Sequence, residues 1–304
     1  TKYLAAVGYG GNRRQAEGNA LGNLAGVFGQ SVSSNISTVT RYSENVVSGG
    51  ISSAENSEIQ EAIQTSAAME SLIGAEITGY WFDGKNTHYA VAVMDKGKTA
   101  RIYGDLIDSD QRFIAGLIDV PQADRSTLEG VARYNLAASI ADADQLFATV
   151  LAVVDGPDRR SGMKSGDEYR SQGAKLAALI PVNVVVDKDS GGRITSAFTS
   201  VLSQAGFRAG NGGERYMLAV TVSFAPVDLP NPAGNKFTRY IVDANLTDTA
   251  NKTVLFPFNI SGREGHLSQT EAEERAYRAA VAKIAGDYGT ALGDYLSGTM
   301  PKNK

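Results

Sequence analysis

The sequence contains no cysteine, which excludes disulfide bridges, thiolate catalysis and zinc sites with sulfur ligands. It has only two histidines, His88 and His266, and neither has a second histidine four residues away, as a helical metal pair requires. We therefore expect neither a bound metal nor another cofactor.

The sequence also shows no recognisable catalytic arrangement. Without cysteine, nucleophilic catalysis would need a Ser–Lys or carboxylate site, and we can locate none. The carboxylates of the segments DSDQ (108–111) and ADADQ (141–145) are typical of helix caps and turns. His88 is expected at a half-buried or surface position of a sheet, and His266 is expected to hydrogen bond to a turn. We predict no catalytic residues and a protein that is not an enzyme.

Charge and hydrophobicity exclude two further classes of function. The formal net charge is −4, and lysine and arginine form no basic face or tail. Nucleic acid is therefore not expected as a partner, because phosphate binding requires clustered cations. No run approaches the ~18 apolar residues of a membrane span, so we predict no span. The 304 residues are enough for two domains.

The first question is why glycines follow the apolar segment YLAAV (3–7). The order Gly8, Gly10 and Gly11 lacks the third glycine of a dinucleotide-binding G-x-G-x-x-G motif. A Walker loop would need Gly-Lys-Ser or Gly-Lys-Thr, which is also missing here. We predict that these glycines form a structural turn between a strand and a helix.

More glycines recur along the helical segment that follows, and they define a candidate contact surface. At about 100° per residue, these glycines form one stripe, opposite the apolar face of the helix: Gly18, Gly22, Gly26 and Gly29. Two interpretations are open. Either another element of the chain approaches the stripe closely, or the stripe is a contact surface for another protein.

Trp81 is the second part of the candidate contact surface. It lies in the triplet Tyr80-Trp81-Phe82, directly before a predicted hairpin turn at Asp83-Gly84. On the returning strand, the alternation places Tyr89, Val91 and Val93 on one face. The aromatic triplet indicates either cross-strand packing or a binding platform.

The first third of the chain resembles the bacterial Lpp-twenty lipoprotein domain. The resemblance covers residues 3–103 and rests on YLAAVGYGG, on the predicted serine-rich strand SVSSNIST (31–38) and on SLIGAEITGYWFDGKNTHYAVAVMD (71–95). It implies a periplasmic protein or one anchored in the outer membrane. The lipid-bearing cysteine of that family is expected just before Thr1, and the start at threonine is expected to follow removal of a signal peptide.

The carboxy-terminal part has a different pattern, β-α-β-β-β-α, with capping box Ser268-x-x-Glu271 before its last helix. This pattern predicts two helices on one face of a mainly antiparallel sheet. Residues 174–298 are similar to the TolB amino-terminal domain and to the curli-secretion CsgG type, which assemble or dock in the bacterial periplasm. The order of the two domains resembles that of flagellar H-ring accessory proteins, whose SH3-like domain has no counterpart here.

The predicted fold class is α+β, with two α/β-layer domains at residues 1–155 and 174–304 and a polar linker at residues 156–173. The expected function is that of a non-enzymatic cell-envelope protein in the periplasm or at the outer membrane, at its inner leaflet or its surface. Expected partners are other envelope proteins or a second copy, in a surface or motility assembly. The alternative is a periplasmic small-ligand-binding module, with a pocket between the domains or above the aromatic hairpin.

Overall fold

A computed structural model of the chain describes the following residues: 1–29, 32, 38, 42, 71–154, 161–229 and 234–298. They divide into two compact units. The first unit comprises Thr1–Val120 and Arg133–Arg170, and the second comprises Pro121–Ala132 and Ser171–Met300. The domain limits expected from the sequence, residues 1–155 and 174–304 with a linker at 156–173, remain a prediction.

The first unit contains a three-stranded antiparallel sheet in the order β1-β3-β2. Its strands are β1 (Tyr3–Gly10), β2 (Ala75–Phe82) and β3 (His88–Asp95). The turn between β2 and β3 is organised by Asp83, whose Oδ1 accepts hydrogen bonds from backbone N–H groups of residues 85–87 at 2.8–3.1 Å. Gly84 has the left-handed φ of 76° that this turn requires. The predicted hairpin is confirmed.

Five helices whose limits lie within the described residues begin before residue 177. They are α1 (Arg13–Gly26), α2 (Lys96–Ile118), α3 (Gln122–Arg125), α4 (Leu128–Val154) and α5 (Gly166–Ala177). Asn12 and Asp95 cap α1 and α2, because their side chains accept the N–H groups of Gln15 and Lys98. Helix α5 begins at Gly166, inside the segment 156–173 that the sequence predicted to be a polar linker.

Helix α4 is long and apolar enough to cross a membrane by length and composition, with mean hydropathy of 1.5 over its most apolar window. However, 67% of that window is buried inside the protein. Among its buried side chains are Phe147, Ile140 and the carboxyl of Asp144. We therefore assign α4 as a core helix.

Part of the first domain's predicted structure differs from the observed one. Most of the expected serine-rich strand, residues 31–38, lies outside the described residues. The two residues of that segment that are described, Val32 and Thr38, are helical, so the strand prediction is wrong there. An alternation carried by four residues, one of them serine, is too short to establish a two-residue period.

The second unit is built on a mixed five-stranded sheet in the order β5-β4-β6-β7-β8. Its strands are β4 (Pro181–Asp187), β5 (Arg208–Ala209), β6 (Tyr216–Val227), β7 (Lys236–Asp248) and β8 (Thr253–His266). Strand β4 runs parallel to β5 and β6, whereas β6, β7 and β8 form an antiparallel meander. The short strand β5 was not expected from the sequence.

Two helices cover one face of this sheet, as predicted: α6 (Arg193–Gln204) and α7 (Gln269–Lys283). Ser268 caps α7 by accepting the N–H of Glu271 at 3.2 Å, which confirms the capping box. A π-helical turn, Ile284–Tyr288, separates α7 from α8 (Gly289–Gly298). The buried ring of Tyr288 lies edge-on to Phe198, with centroids 4.8 Å apart. Both units combine helices and strands, and the α+β class is confirmed.

Candidate functional site: the open face of the amino-terminal sheet

Helix α1 covers one face of the three-stranded sheet, and Gly8 makes this close approach possible. A Cβ atom at Gly8 would overlap the backbone of Ala16 and Ala20 on α1. A Cβ at Gly10 would lie 2.8 Å from the side chain of Gln15. Gly8 and Gly10 therefore serve helix–sheet packing from within β1, and of the three glycines predicted to form a turn only Gly11 lies after the strand.

Asparagine side chains of α1 also bind the outer edge of the sheet. Asn19 Nδ2 donates a hydrogen bond to the carbonyl of Tyr9 at 2.8 Å, and Asn23 Nδ2 donates to the carbonyl of Val7 at 2.9 Å. Among the described residues β1 is an edge strand of the sheet, so these two carbonyls have no described strand partner on that side. The asparagines thus occupy acceptors that an added strand would use.

The other face of the sheet carries large apolar side chains at exposed positions. The register pairs Tyr9 with Tyr89 and Val7 with Val91, and it pairs Trp81 with Tyr89. Tyr9 is 66% exposed, Trp81 is 60% exposed and Val7 is 56% exposed. We call this surface the open face; its members are Tyr3, Val7, Tyr9, Trp81, Tyr89, Val91 and Val93.

Three aromatic rings form a row across one end of the open face. The ring centroids of Trp81 and Tyr89 are 5.0 Å apart, and those of Tyr89 and Tyr9 are 6.5 Å apart. One ring comes from each strand, and each lies beside the next in the register. The cross-strand packing predicted for the triplet is therefore present, and it leaves the indole of Trp81 exposed.

The other two members of the triplet, Tyr80 and Phe82, pair with the opposite face of β3. Their rings stack on both sides of His88, whose Nδ1 also forms a short hydrogen bond with the hydroxyl of Tyr80. The guanidinium of Arg13 lies 4.9 Å from the centre of the Tyr80 ring. His88 is thus a half-buried packing residue, as predicted.

The other end of the open face is charged. Lys2 Nζ lies 3.5 Å from Asp95 Oδ2, and Lys98 Nζ lies 3.5 Å from Glu76 Oε1. The backbone N–H of Lys98 holds the pKa of Asp95 below its ordinary value, and Lys2 lowers it further. Both pairs are solvent-exposed and contribute little to stability. The open face therefore has an aromatic end and a charged end, where two lysines pair with two carboxylates.

The glycine stripe lies on the exposed side of α1. Among the described residues, no heavy atom lies within 4 Å of a Cβ placed at Gly18, Gly22 or Gly26. The interpretation that another element of the chain approaches the stripe is therefore wrong for this part of the chain. Gly29 lies beyond the end of the helix and has a φ of 98°. Glycine is favoured there because other residues rarely adopt this left-handed backbone conformation. The interpretation as a contact surface stays a prediction.

A buried pair of carboxyl groups escaped the sequence analysis. Asp110 of α2 and Asp144 of α4 are fully buried and interact electrostatically, and Gln111 Nε2 donates to Asp144 Oδ2 at 2.6 Å. Burial raises the pKa of both groups, and the charge of Asp110 raises that of Asp144 further. For these two residues, the expectation of cap or turn carboxylates is wrong, because both lie inside long helices.

The second histidine has the role that was predicted for it. His266 Nδ1 accepts a hydrogen bond from the backbone N–H of Ser268 at 3.2 Å, in the turn before α7. Among the described residues, no group of three or more histidine, aspartate or glutamate side chains could hold a metal ion.

Comparisons with known proteins give no family for this chain. No family model matches it, and no curated protein matches it. Among solved structures, a secreted protein from Helicobacter pylori aligns with 93% of this chain and 97% of its own at 11% identity, with a TM-score of 0.44. A minor lipoprotein from Acinetobacter baumannii aligns with 38% of this chain and 92% of its own at 12% identity, with a TM-score of 0.32.

The rare lipoprotein B from Shewanella oneidensis is a third similar structure. It aligns with 39% of this chain and 95% of its own at 14% identity, with a TM-score of 0.27. Since all three TM-scores are below 0.5, neither the fold nor the function of this chain is argued from them.

Proposed function

We propose that this protein is a non-enzymatic component of the bacterial cell envelope that binds another protein through the open face. The observation that carries the proposal is the aromatic row of Tyr9, Tyr89 and Trp81, in which the two outer rings are more than half exposed. Exposed clusters of large apolar side chains are unusual on soluble proteins and mark interaction sites. Tryptophan and tyrosine are also the residues most enriched at binding hot spots.

The shape of the surface favours a protein over a small molecule. Small ligands bind in concave sites, whereas the open face is one side of a three-stranded sheet. Eight residues at ~3.3 Å and three strands at ~4.8 Å give it an area of about 380 Å². This is less than the ~800 Å² that each partner contributes to a standard interface. We therefore expect a complex formed through this face alone to be transient. A permanent complex would also bury protein surface next to the open face.

The place in the envelope is supported by the resemblance of residues 3–103 to the Lpp-twenty domain. That resemblance also underlies the finer parts of the proposal, namely a lipid anchor and a position at the outer membrane. The partner is then another envelope protein, and a role in a surface or motility assembly follows from the order of the two domains. A second copy of the chain is the alternative partner.

Site-specific photo-crosslinking in the source bacterium tests the proposal. A photoreactive phenylalanine analogue replaces Trp81, and a matched variant carries it at Val254, another exposed strand residue, in the second unit. We expect a discrete adduct from position 81 that is absent from position 254. The same adduct should weaken when Tyr9→Ser is added, because this change removes the other outer ring of the row.

Mass spectrometry of the adduct identifies the partner and its compartment. An envelope protein supports the proposal, and an adduct of twice the chain's mass assigns self-association. No adduct, the same adduct from both positions, or a partner outside the envelope would overturn it.

The alternative function, a periplasmic small-ligand-binding module, is favoured by a different observation. A groove lies between α6 and α7 in the second unit. It is lined mainly by apolar and small side chains with a few polar groups, as ligand sites are. Its place differs from the two expected from the sequence.

A further inference from the structure

Helices α6 and α7 run side by side in the same direction. Near their beginnings, Arg193 Nη1 contacts Glu274 Oε2 at 2.8 Å. Further along, a Cβ at Gly289, just after α7 and its π-helical turn, would lie 3.6 Å from Val201 Cγ1. Between the helices lies a groove of about 560 Å³, within the size range of small-molecule sites.

The groove exists because the facing side chains are short. Its residues from α6 and the preceding turn are Gly191, Arg193, Ser196, Ala197, Ser200, Val201 and Gln204; those from α7 and the following turn are Tyr277, Arg278, Val281, Ala282 and Ala285. Alanine and serine leave open the space that leucine or phenylalanine would fill at the same positions. Ala282 and Ala285 are exposed to solvent although they are apolar.

The charged side chains of the groove are both cationic and lie at the same end. Arg193 lies at the beginning of α6, Arg278 is among the first residues of α7 that line the groove, and none of the described lining residues carries a carboxylate. Glu274 and Glu271 hold the two guanidinium groups at 2.8 Å and 2.6 Å from outside the lining. Each guanidinium has five N–H donors, so donors remain for a ligand.

The aromatic ring of Tyr277 fixes the cationic end in place. The guanidinium of Arg193 lies 4.2 Å from the centre of this ring. The ring of Phe224 also stacks on the ring of Tyr277, with the two centroids 3.9 Å apart. Arg193 is therefore held by a carboxylate and by an aromatic ring before any ligand arrives, which lowers the entropy lost on binding.

We propose that the α6–α7 groove binds a small single-chain amphipathic anion, such as a fatty acid. The anionic head group lies at Arg193 and Arg278, and the hydrocarbon chain lies over Ala197, Val201 and Ala282. The hydroxyl group of Ser200 provides a further donor along the groove, whereas that of Ser196 donates to the carbonyl of Gly192 at 2.7 Å. This site is independent of the open face, so either proposal can fail without the other.

Calorimetric titration of the full chain with dodecanoate, below its micelle concentration, tests the proposal. Dodecyltrimethylammonium, which has the same chain and the opposite charge, tests the role of the head group. We expect one dodecanoate per chain and at least about tenfold weaker binding of the ammonium amphiphile, because only the anion gains charge-assisted hydrogen bonds. Equal affinity for the two amphiphiles, or no binding of dodecanoate, would overturn the proposal.

Two pairs of variants locate the site. Ser200→Phe fills the groove, whereas Ser203→Phe places the same ring at another exposed position of α6 that does not line it. Arg278→Gln removes a lining cation, whereas Arg275→Gln removes a cation that also pairs with Glu271 but lies outside the groove. We expect Ser200→Phe to abolish binding and Arg278→Gln to weaken it about tenfold, with both controls near the parent.

A circular dichroism melt checks that each variant folds, and Ala282→Trp blocks the groove from α7 if Ser200→Phe does not fold. Undiminished binding by a folded groove-filling variant would overturn the location of the site. An equal loss in Arg275→Gln and Arg278→Gln would overturn the assignment of the head group.

Discussion

The indole ring of Trp81 packs against the phenol ring of Tyr89 across two neighbouring strands, with ring centroids 5.0 Å apart, yet the indole remains 60% exposed. A side chain of this kind contributes little to folding, because most of its surface stays in water. We expect Trp81→Ser to reduce the free energy of unfolding by less than about 1.5 kcal/mol, the upper end for an aromatic pair.

Urea denaturation measures this change, and Phe147→Ala is the control. Phe147 is fully buried and lies within 5.2 Å of the ring of Tyr103, so its loss should cost about 3–5 kcal/mol. If Trp81→Ser is as costly as Phe147→Ala, the indole has a structural role, and the open face loses its main evidence as a binding surface.

Gly8 provides a prediction of the opposite kind. A methyl group at this position would overlap the backbone of Ala16 and Ala20, which a rotamer change cannot relieve. We expect Gly8→Ala to destabilise the protein by about 1–3 kcal/mol through overpacking, despite the higher strand propensity of alanine. Gly11→Ala is the control, since its nearest neighbour would be the flexible side chain of Gln15 at 3.6 Å. A stable Gly8→Ala protein would contradict the close approach of α1 to β1.

The glycine stripe gives a third prediction, which tests whether the space beside its helical glycines is open. Gly22 lies inside α1 with no described atom near its Cβ position, so Gly22→Ala should stabilise the protein by about 0.5–1 kcal/mol. Gly29, with its φ of 98°, should respond oppositely, because alanine rarely adopts that conformation. Thermal melts compare the two variants.

A larger side chain then tests the stripe as a contact surface. Gly22→Leu should leave the melting temperature near that of the parent. If the stripe is an interface, this variant loses its crosslinked or co-purified partner while remaining folded. If it stays folded and keeps every partner, the stripe is simply the solvent side of a weak helix.

Those parts of the fold that depend on local periodicity were predictable from the sequence. The alternation in β3 placed Tyr89, Val91 and Val93 on one face, and the register confirms it. In β2 the same alternation would group Ile77 with Gly79 and Trp81. An irregularity between Ile77 and Gly79 breaks the alternation, so Ile77 pairs with Ala92 on the opposite face. No residue type in this segment signals such a bulge.

The features that depend on distant parts of the chain were not predictable. Asp110 and Asp144 sit in segments that look like caps, because aspartate is common at helix ends; only the packing of α2 against α4 buries them. The α6–α7 groove likewise requires two helices that are separated by the whole meander. Each helix alone shows only an ordinary mixture of alanine, serine and charged residues.

The buried carboxyl pair makes stability depend on pH, and the sign follows from the direction of its pKa shifts. In the unfolded chain an aspartate titrates near ~3.9. In the folded protein, burial raises the pKa of Asp110 and Asp144 above that value. Between the two values the folded state holds protons that the unfolded state has lost, so the free energy of unfolding falls as pH rises.

Asp144→Asn removes the contribution of Asp144 to this dependence while keeping an oxygen that can accept the hydrogen bond from Gln111. We expect the variant to match the parent at pH 4 and to exceed it at pH 8 by at least about 1.4 kcal/mol, which corresponds to one pKa unit. Asp142→Asn is the control, since this nearby acid is partly exposed and forms an ion pair with Arg170 at 2.8 Å. It should bring no gain at pH 8. If Asp144→Asn gains nothing between pH 4 and pH 8 in urea denaturation, Asp144 is ionised at little cost and its burial does not make stability depend on pH.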